Sequence, residues 1–171
     1  MNIIDVYLRG FPVINPVIFL FIGLLQKNKF FIKYFVFSLV VDFLGVKPLK
    51  WMSEKIYNLL SVEYIPVLGL GRRPIGAVSC GIVNDGKPCI SFGMPSGHAM
   101  ISGFTFMYFY LYINQHFTSP KNKILLKLLL FIVSISVCIS RILFGCHTVQ
   151  QVIIGALIGL VFGYKLYSIS L

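Results

Sequence analysis

Five apolar runs, each bounded by Lys, Pro or Asn, constrain this chain more than any other feature. They cover residues 11–25, 30–46, 96–113, 124–143 and 149–167. Each approaches the roughly 20 residues that a helix needs to cross the hydrocarbon core of a bilayer. Backbone groups in lipid must be satisfied within their own segment, so such runs become helices. Composition agrees, since 57% of the residues are hydrophobic and only 12% charged, about half the charge of a soluble domain. The expectation is all-α: a polytopic membrane helical bundle of five to six transmembrane helices. Residues 1–171 read as a single membrane-embedded domain, with a functional loop region at one membrane face.

The formal charge of +10 comes from 15 Lys and Arg against 5 Asp and Glu. In a soluble protein this balance would point to nucleic acid. Beside membrane spans it points to headgroups, and also to arginines that hold a phosphate, so no nucleic-acid partner is expected. The four cysteines show neither CxxC nor zinc-ligand spacing. Cys138 falls inside a span as a small apolar residue. Cys80 and Cys89 share one loop and can pair if that loop faces an oxidising compartment. The N-terminus has no basic stretch and no cleavage site of small residues, so the run from Phe11 reads as a retained span.

Between the second and third runs lies a long segment, residues 47–95. Its first part, KPLKWMSEKIYNLLSVEYIPVLGL, reads as an interfacial helix or a short extra span. Its second part, GRRPIGAVSCGIVNDGKPCISFGM, reads as a loop, and a loop this long in a small domain is usually functional. In the last run Gly155, Gly159 and Gly163 form a small-residue stripe for close helix packing.

Three polar clusters interrupt the apolar pattern: GRRP (71–74), PSGH (95–98) and SRILFGCHTVQQ (140–151). Singly, each has an ordinary reading. Arg72 and Arg73 can anchor headgroups, Ser96 can cap a helix, and Arg141 can snorkel. Counting crossings changes the weight. The third run starts at PSGH, the fourth returns and ends at Arg141, and His147 opens the fifth. All three clusters therefore meet at one membrane face.

That set suits phosphoryl transfer. Arginines grip phosphate oxygens in bidentate fashion. The Ser96-Gly97-His98 amides at a helix start are an anion site. One His can attack phosphorus while the other protonates the leaving oxygen. Gln151 lies four residues after His147 on the same helical face, where its amide oxygen can fix the imidazole tautomer.

The pattern RP…PSGH…SRxxxxxH resembles the signature of the type 2 phosphatidic acid phosphatase superfamily, membrane phosphatases of lipid phosphates and diphosphates that are related to vanadium haloperoxidases. The resemblance implies His147 as nucleophile, His98 as general acid, and Arg73, Ser96, Gly97 and Arg141 as the phosphate cradle, with no metal and no cofactor. Two positions depart from it. The family's first motif has a Lys about two turns before Arg-Pro, and this chain has none between Lys55 and Arg72, where Lys50, after an insertion, or Arg72 could substitute. The family usually has Asp four residues after the nucleophile, where this chain has Gln151. The phrase HTVQQVIIG is similar to the dolichyl-diphosphatase branch, which marks Gln151 as a branch feature.

The expected substrate is a lipid phosphate or a polyprenyl, dolichyl-like diphosphate. The alternatives are a non-catalytic membrane scaffold that keeps the anion pocket, and transfer of the phosphoryl group to an acceptor alcohol. The loops opposite the site hold Lys27, Lys29, Lys33, Lys121, Lys123, Lys127 and Lys165 and no acid. By the positive-inside rule those loops are cytosolic, and the site then faces the lumen or the outside.

Overall fold

A computed structural model describes residues 2–83 and 85–170. Asn2 caps α1 (Ile3–Leu25), its side chain accepting from the Asp5 amide at 2.9 Å. The helix begins earlier than the expected boundary at Phe11, because Arg9 turns inward and is 8% exposed, so its charge does not end the span. A turn at Lys27, with φ +51, leads to Asn28, whose side chain caps α2 (Lys29–Val40).

Residues Val41–Val46 form a π-helical segment that runs directly into α3 (Lys47–Leu60). Here the Lys47 N–H bonds to the Asp42 carbonyl, five residues back. Pro48 follows, with no N–H to give and a ring that crowds the preceding turn, so widening the helix ahead of it relieves the conflict. Trp51, Met52, Ile56 and Leu59 are exposed on α3 beside Lys and Glu, as an interfacial helix requires. The expected choice between interfacial helix and sixth span resolves to the former. After Leu60 the chain makes a hairpin of β1 (Tyr64–Ile65) and β2 (Gly69–Leu70), not a further crossing.

The irregular loop that follows ends at Ser96, the cap of α4 (Gly97–His116). Pro120 opens α5 (Pro120–Leu143), and α6 (Val149–Ser170) completes the chain. Among the described residues three helices, α1, α5 and α6, are long and apolar enough to cross a membrane, and their outer faces expose Phe21, Leu128, Phe131 and Leu157. The protein is an all-α integral membrane bundle.

The bundle is organised around α4. Adding a Cβ to Gly155, Gly159 or Gly163 would drive it to 2.5, 2.0 or 2.7 Å from a carbonyl oxygen of α4 or its cap. Gly103 answers from α4 against the Ala156 carbonyl at 2.3 Å. The stripe thus lets α4 and α6 meet backbone to backbone, as expected. Ser102 donates to the Ser134 carbonyl at 3.0 Å and ties α4 to α5. At mid-depth Asn15, Tyr34 and Thr105 join α1, α2 and α4 through hydrogen bonds of 2.8 Å. Around them Phe11, Phe104, Tyr108 and Phe109 form an aromatic core.

Candidate active site

The turn between α5 and α6 places two of the expected residues together. Gly145 adopts φ +65, the left-handed conformation that a residue with a side chain resists. The Gly145 amide then bonds to Ile142, and the Cys146 and His147 amides both bond to the Arg141 carbonyl at 3.0 and 3.2 Å. This is the Schellman way of ending a helix. It folds His147 back over Arg141, both of them buried.

Gln151, fully buried one turn into α6, controls the His147 ring. Its Nε2 donates to the Leu70 and Arg72 carbonyls, both at 2.7 Å. Its Oε1 must then accept, and it receives the Thr148 amide at 3.2 Å and His147 Nδ1 at 3.0 Å. Nδ1 therefore carries the proton, and Nε2 presents a lone pair. That lone pair faces Arg73 Nη1 at 3.0 Å. Burial, then the Arg73 and Lys50 charges, hold His147 well below the ordinary imidazole pKa, against the opposing Gln151 bond. The ring is neutral at physiological pH, the form a nucleophile needs.

Arg73 is held from behind. Its Nε and Nη2 donate to Ser91, and Nη1 also reaches the Cys146 carbonyl at 2.9 Å. A hollow of about 580 Å3 opens beside it, lined by Glu54, Arg72, Pro74 and Phe92 among others. Ser96, 0% exposed, caps α4 through the Ala99 amide, and its own amide bonds to the Gln151 carbonyl at 3.1 Å. The N–H groups of the first turn of α4 have no partner in their own helix. His98 stands on that turn, and its Nε2 donates to the Arg9 carbonyl at 2.8 Å. In the neutral ring the proton is then on Nε2, and Nδ1 presents a lone pair that can take up a second proton.

Arg141 is fully buried, and both its Nη1 and Nη2 lack hydrogen-bond partners. Such groups normally cost about 1–3 kcal/mol or more each when left unsatisfied. Among the described residues no carboxylate compensates, since the ion pair present within 4.0 Å is the exposed Lys87–Asp85 contact. Buried cationic donors that no ion pair engages make a site for an anion. Among the described residues no cluster of three or more His, Cys, Asp or Glu offers a metal site.

All seven expected site residues thus fall at one end of the bundle. Of the two candidates for the missing Lys, the geometry separates them. Arg72 is exposed, and its role in the site is its carbonyl. Lys50 reaches in from α3, with Nζ donating to the Phe92 carbonyl at 2.6 Å. Burial first, then Arg73, lowers its pKa from 10.5 to about 7.

Two features differ from expectation or were missed. Cys80 pairs with Cys146, not with Cys89. Cys89 stays free, its sulfur accepting from the Cys80 amide at 3.0 Å. The loop folds across the α5–α6 turn, which brings Cys146 closer to Cys80 than a neighbour in the same loop. Arg9 also joins the site, its guanidinium lying 4.1 Å from the centre of the Phe144 ring. The available signal was an isolated charge within an apolar stretch, which is a functional candidate by default.

The family model for the PAP2 superfamily matches residues 72–171. The dolichyldiphosphatase of Saccharomyces cerevisiae is 38% identical over 77 residues, covering 42% of this chain and 31% of that protein. The match thus spans less than a third of that relative's length. No solved structure matches the chain.

Proposed function

The chain belongs to the PAP2 superfamily, and from that premise we propose that it is an integral membrane phosphatase that hydrolyses a polyprenyl, dolichyl-like diphosphate or a lipid phosphate through a phosphohistidine. The observation that carries this reading is the Nε2 lone pair of His147, fixed by Gln151 and aimed at Arg73 3.0 Å away. A phosphoryl group bound by Arg73 would lie against that lone pair. In this reading Arg141, Lys50 and the first amides of α4 stabilise the charge spread over the equatorial oxygens.

Nε2 attacks phosphorus, the bond to the leaving oxygen breaks, and that oxygen departs with the electron pair. Where the leaving oxygen requires a proton, it comes from Nδ1 of a His98 ring that has first taken up a second proton from water, and the ring returns to its Nε2–H form. Water then cleaves the N–P bond, releasing orthophosphate and regenerating His147. No metal is assigned to these steps. The similarity around Gln151 and the dolichyldiphosphatase relative favour a prenyl diphosphate over phosphatidic acid.

The site is assigned to the lumenal or outer face. The Cys80–Cys146 disulfide lies at the site, and disulfides persist in oxidising compartments. The Lys-rich turns lie at the other end of the helices.

The test is release of phosphate from prenyl diphosphates and phosphatidic acid in detergent with excess EDTA. His147→Ala should reduce release to the uncatalysed background. A rapid quench should trap an acid-labile, alkali-stable phosphoenzyme in the wild type. Full turnover by the His147 variant would overturn the assignment.

A further inference from the structure

We propose that Arg9, standing beside Arg141 of the phosphate cradle, binds the leaving phosphate of a diphosphate substrate and so selects diphosphates over monophosphates. The inference rests on the phosphatase reading above and adds a residue outside the region matched by the family.

Arg9 is 8% exposed, its Nη1 bonds to the Ser79 carbonyl, and its Nε is buried with no partner. Arg141 has two more such donors. Both guanidinium groups lie against one ring, with Cζ 4.1 Å (Arg9) and 5.0 Å (Arg141) from the centre of Phe144. Asp5, one turn earlier on α1, does not form an ion pair with Arg9. Two buried cations that repel one another, with three unspent N–H donors between them, are stable together only around an anion.

The position of that anion follows from His98. The general acid stands beside the leaving group, and the His98 ring is fastened to the Arg9 carbonyl at 2.8 Å. The Arg9 main chain thus stands beside the proposed acid and its guanidinium meets Arg141 over Phe144, while Arg73 holds the phosphoryl group in front of His147. A monophosphate ester leaves as an alcohol, which has no use for an arginine. A diphosphate leaves as a phosphate monoester. When His147 Nε2 bonds to the terminal phosphorus, the bridging P–O bond breaks and its electron pair stays on the departing monoester, which is then close to a dianion. Arg9 supplies a donor, its unpartnered Nε, where that charge develops.

The test uses the full chain in detergent and two substrates with the same prenyl chain, one a diphosphate and one a monophosphate. Arg9→Gln should lower kcat/KM on the diphosphate by about 10–100-fold, the usual range for a lost hydrogen bond to a charged group. On the monophosphate the change should stay within about threefold. Equal losses on both substrates, or no loss on the diphosphate, would overturn the proposal while leaving the phosphatase reading intact. A binding arm is independent of turnover. Inorganic pyrophosphate should raise the Tm of the wild type more than orthophosphate at equal concentration, and Arg9→Gln should erase the difference. If the wild type cleaves no lipid, that arm still decides. Should Arg9→Gln fail to fold, Arg9→Lys retains the charge over Phe144 but lacks Nε, and the same selective loss is expected. Pyrophosphate preference unchanged in the variant refutes the inference.

Discussion

Lys50 gives the sharpest quantitative test. Its ammonium is buried beside Arg73, and its pKa falls from 10.5 to about 7. Keeping it charged below pH 7 in the empty site costs about 5 kcal/mol, from roughly 1.4 kcal/mol per unit of pKa. A phosphate dianion opposite Arg73 cancels the repulsion and restores the charged form. Between pH 7 and 10.5 the empty site is therefore neutral at Lys50 and the liganded site protonated. Linkage then requires proton uptake on binding, and affinity falls with rising pH by up to about tenfold per unit in that window. At pH 8.5, where inorganic phosphate is already a dianion, uptake should be roughly one proton. Calorimetric titration with phosphate in two buffers of different ionisation enthalpy measures it. Lys50→Arg stays charged throughout, so its uptake should be lower by nearly one proton, and protons taken up by the histidines cancel in the comparison. Equal uptake by wild type and Lys50→Arg at pH 8.5 would refute the reasoning.

Gln151→Glu is isosteric but should fail, because it sets a carboxylate oxygen against two carbonyls 2.7 Å away. Two acceptors stripped of donors cost about 2–6 kcal/mol together, visible in Tm and kcat, and wild-type values would contradict the tautomer lock. Reducing the Cys80–Cys146 disulfide, whose cysteines are 66 residues apart, should remove about 4 kcal/mol by chain entropy. Thermal unfolding with and without reductant checks this, and Cys146→Ser should show no response to reductant. Gly159→Ala puts a Cβ 2.0 Å from the Met100 carbonyl and should destabilise strongly, by about 1–3 kcal/mol or more. Gly81→Ala, with open space around its Cβ, serves as the neutral control in the same melts.

What the sequence made legible was local chemistry and its repetition. The helices over 97–116, 120–143 and 149–170 lie where apolar runs and caps put them, and the parity of crossings brought His98, Arg141 and His147 to one face. The hydrogen bond from His147 to Gln151 followed from four-residue spacing on a helix. Contacts between distant segments were another matter. Lys50 could be nominated as a replacement but not chosen over Arg72, because a π-helical segment and a hairpin decide which of them points inward. Cys80 and Cys89 looked like partners through nearness in the chain, yet the loop doubles back so that Cys146 takes the bond. Arg9 looked like a residue before the membrane, since a charge normally bounds a span. Inside α1 its charge is partly met by the Ser79 carbonyl and the face of the Phe144 ring.

Two helices that touch main chain to main chain have no side-chain cushion to yield or re-sort. His98 rides on one of them, and Gln151, which steers His147, rides on the other. The two imidazoles proposed to share one phosphoryl group therefore hang from a single rigid frame, whose spacing Gly155, Gly159 and Gly163 set.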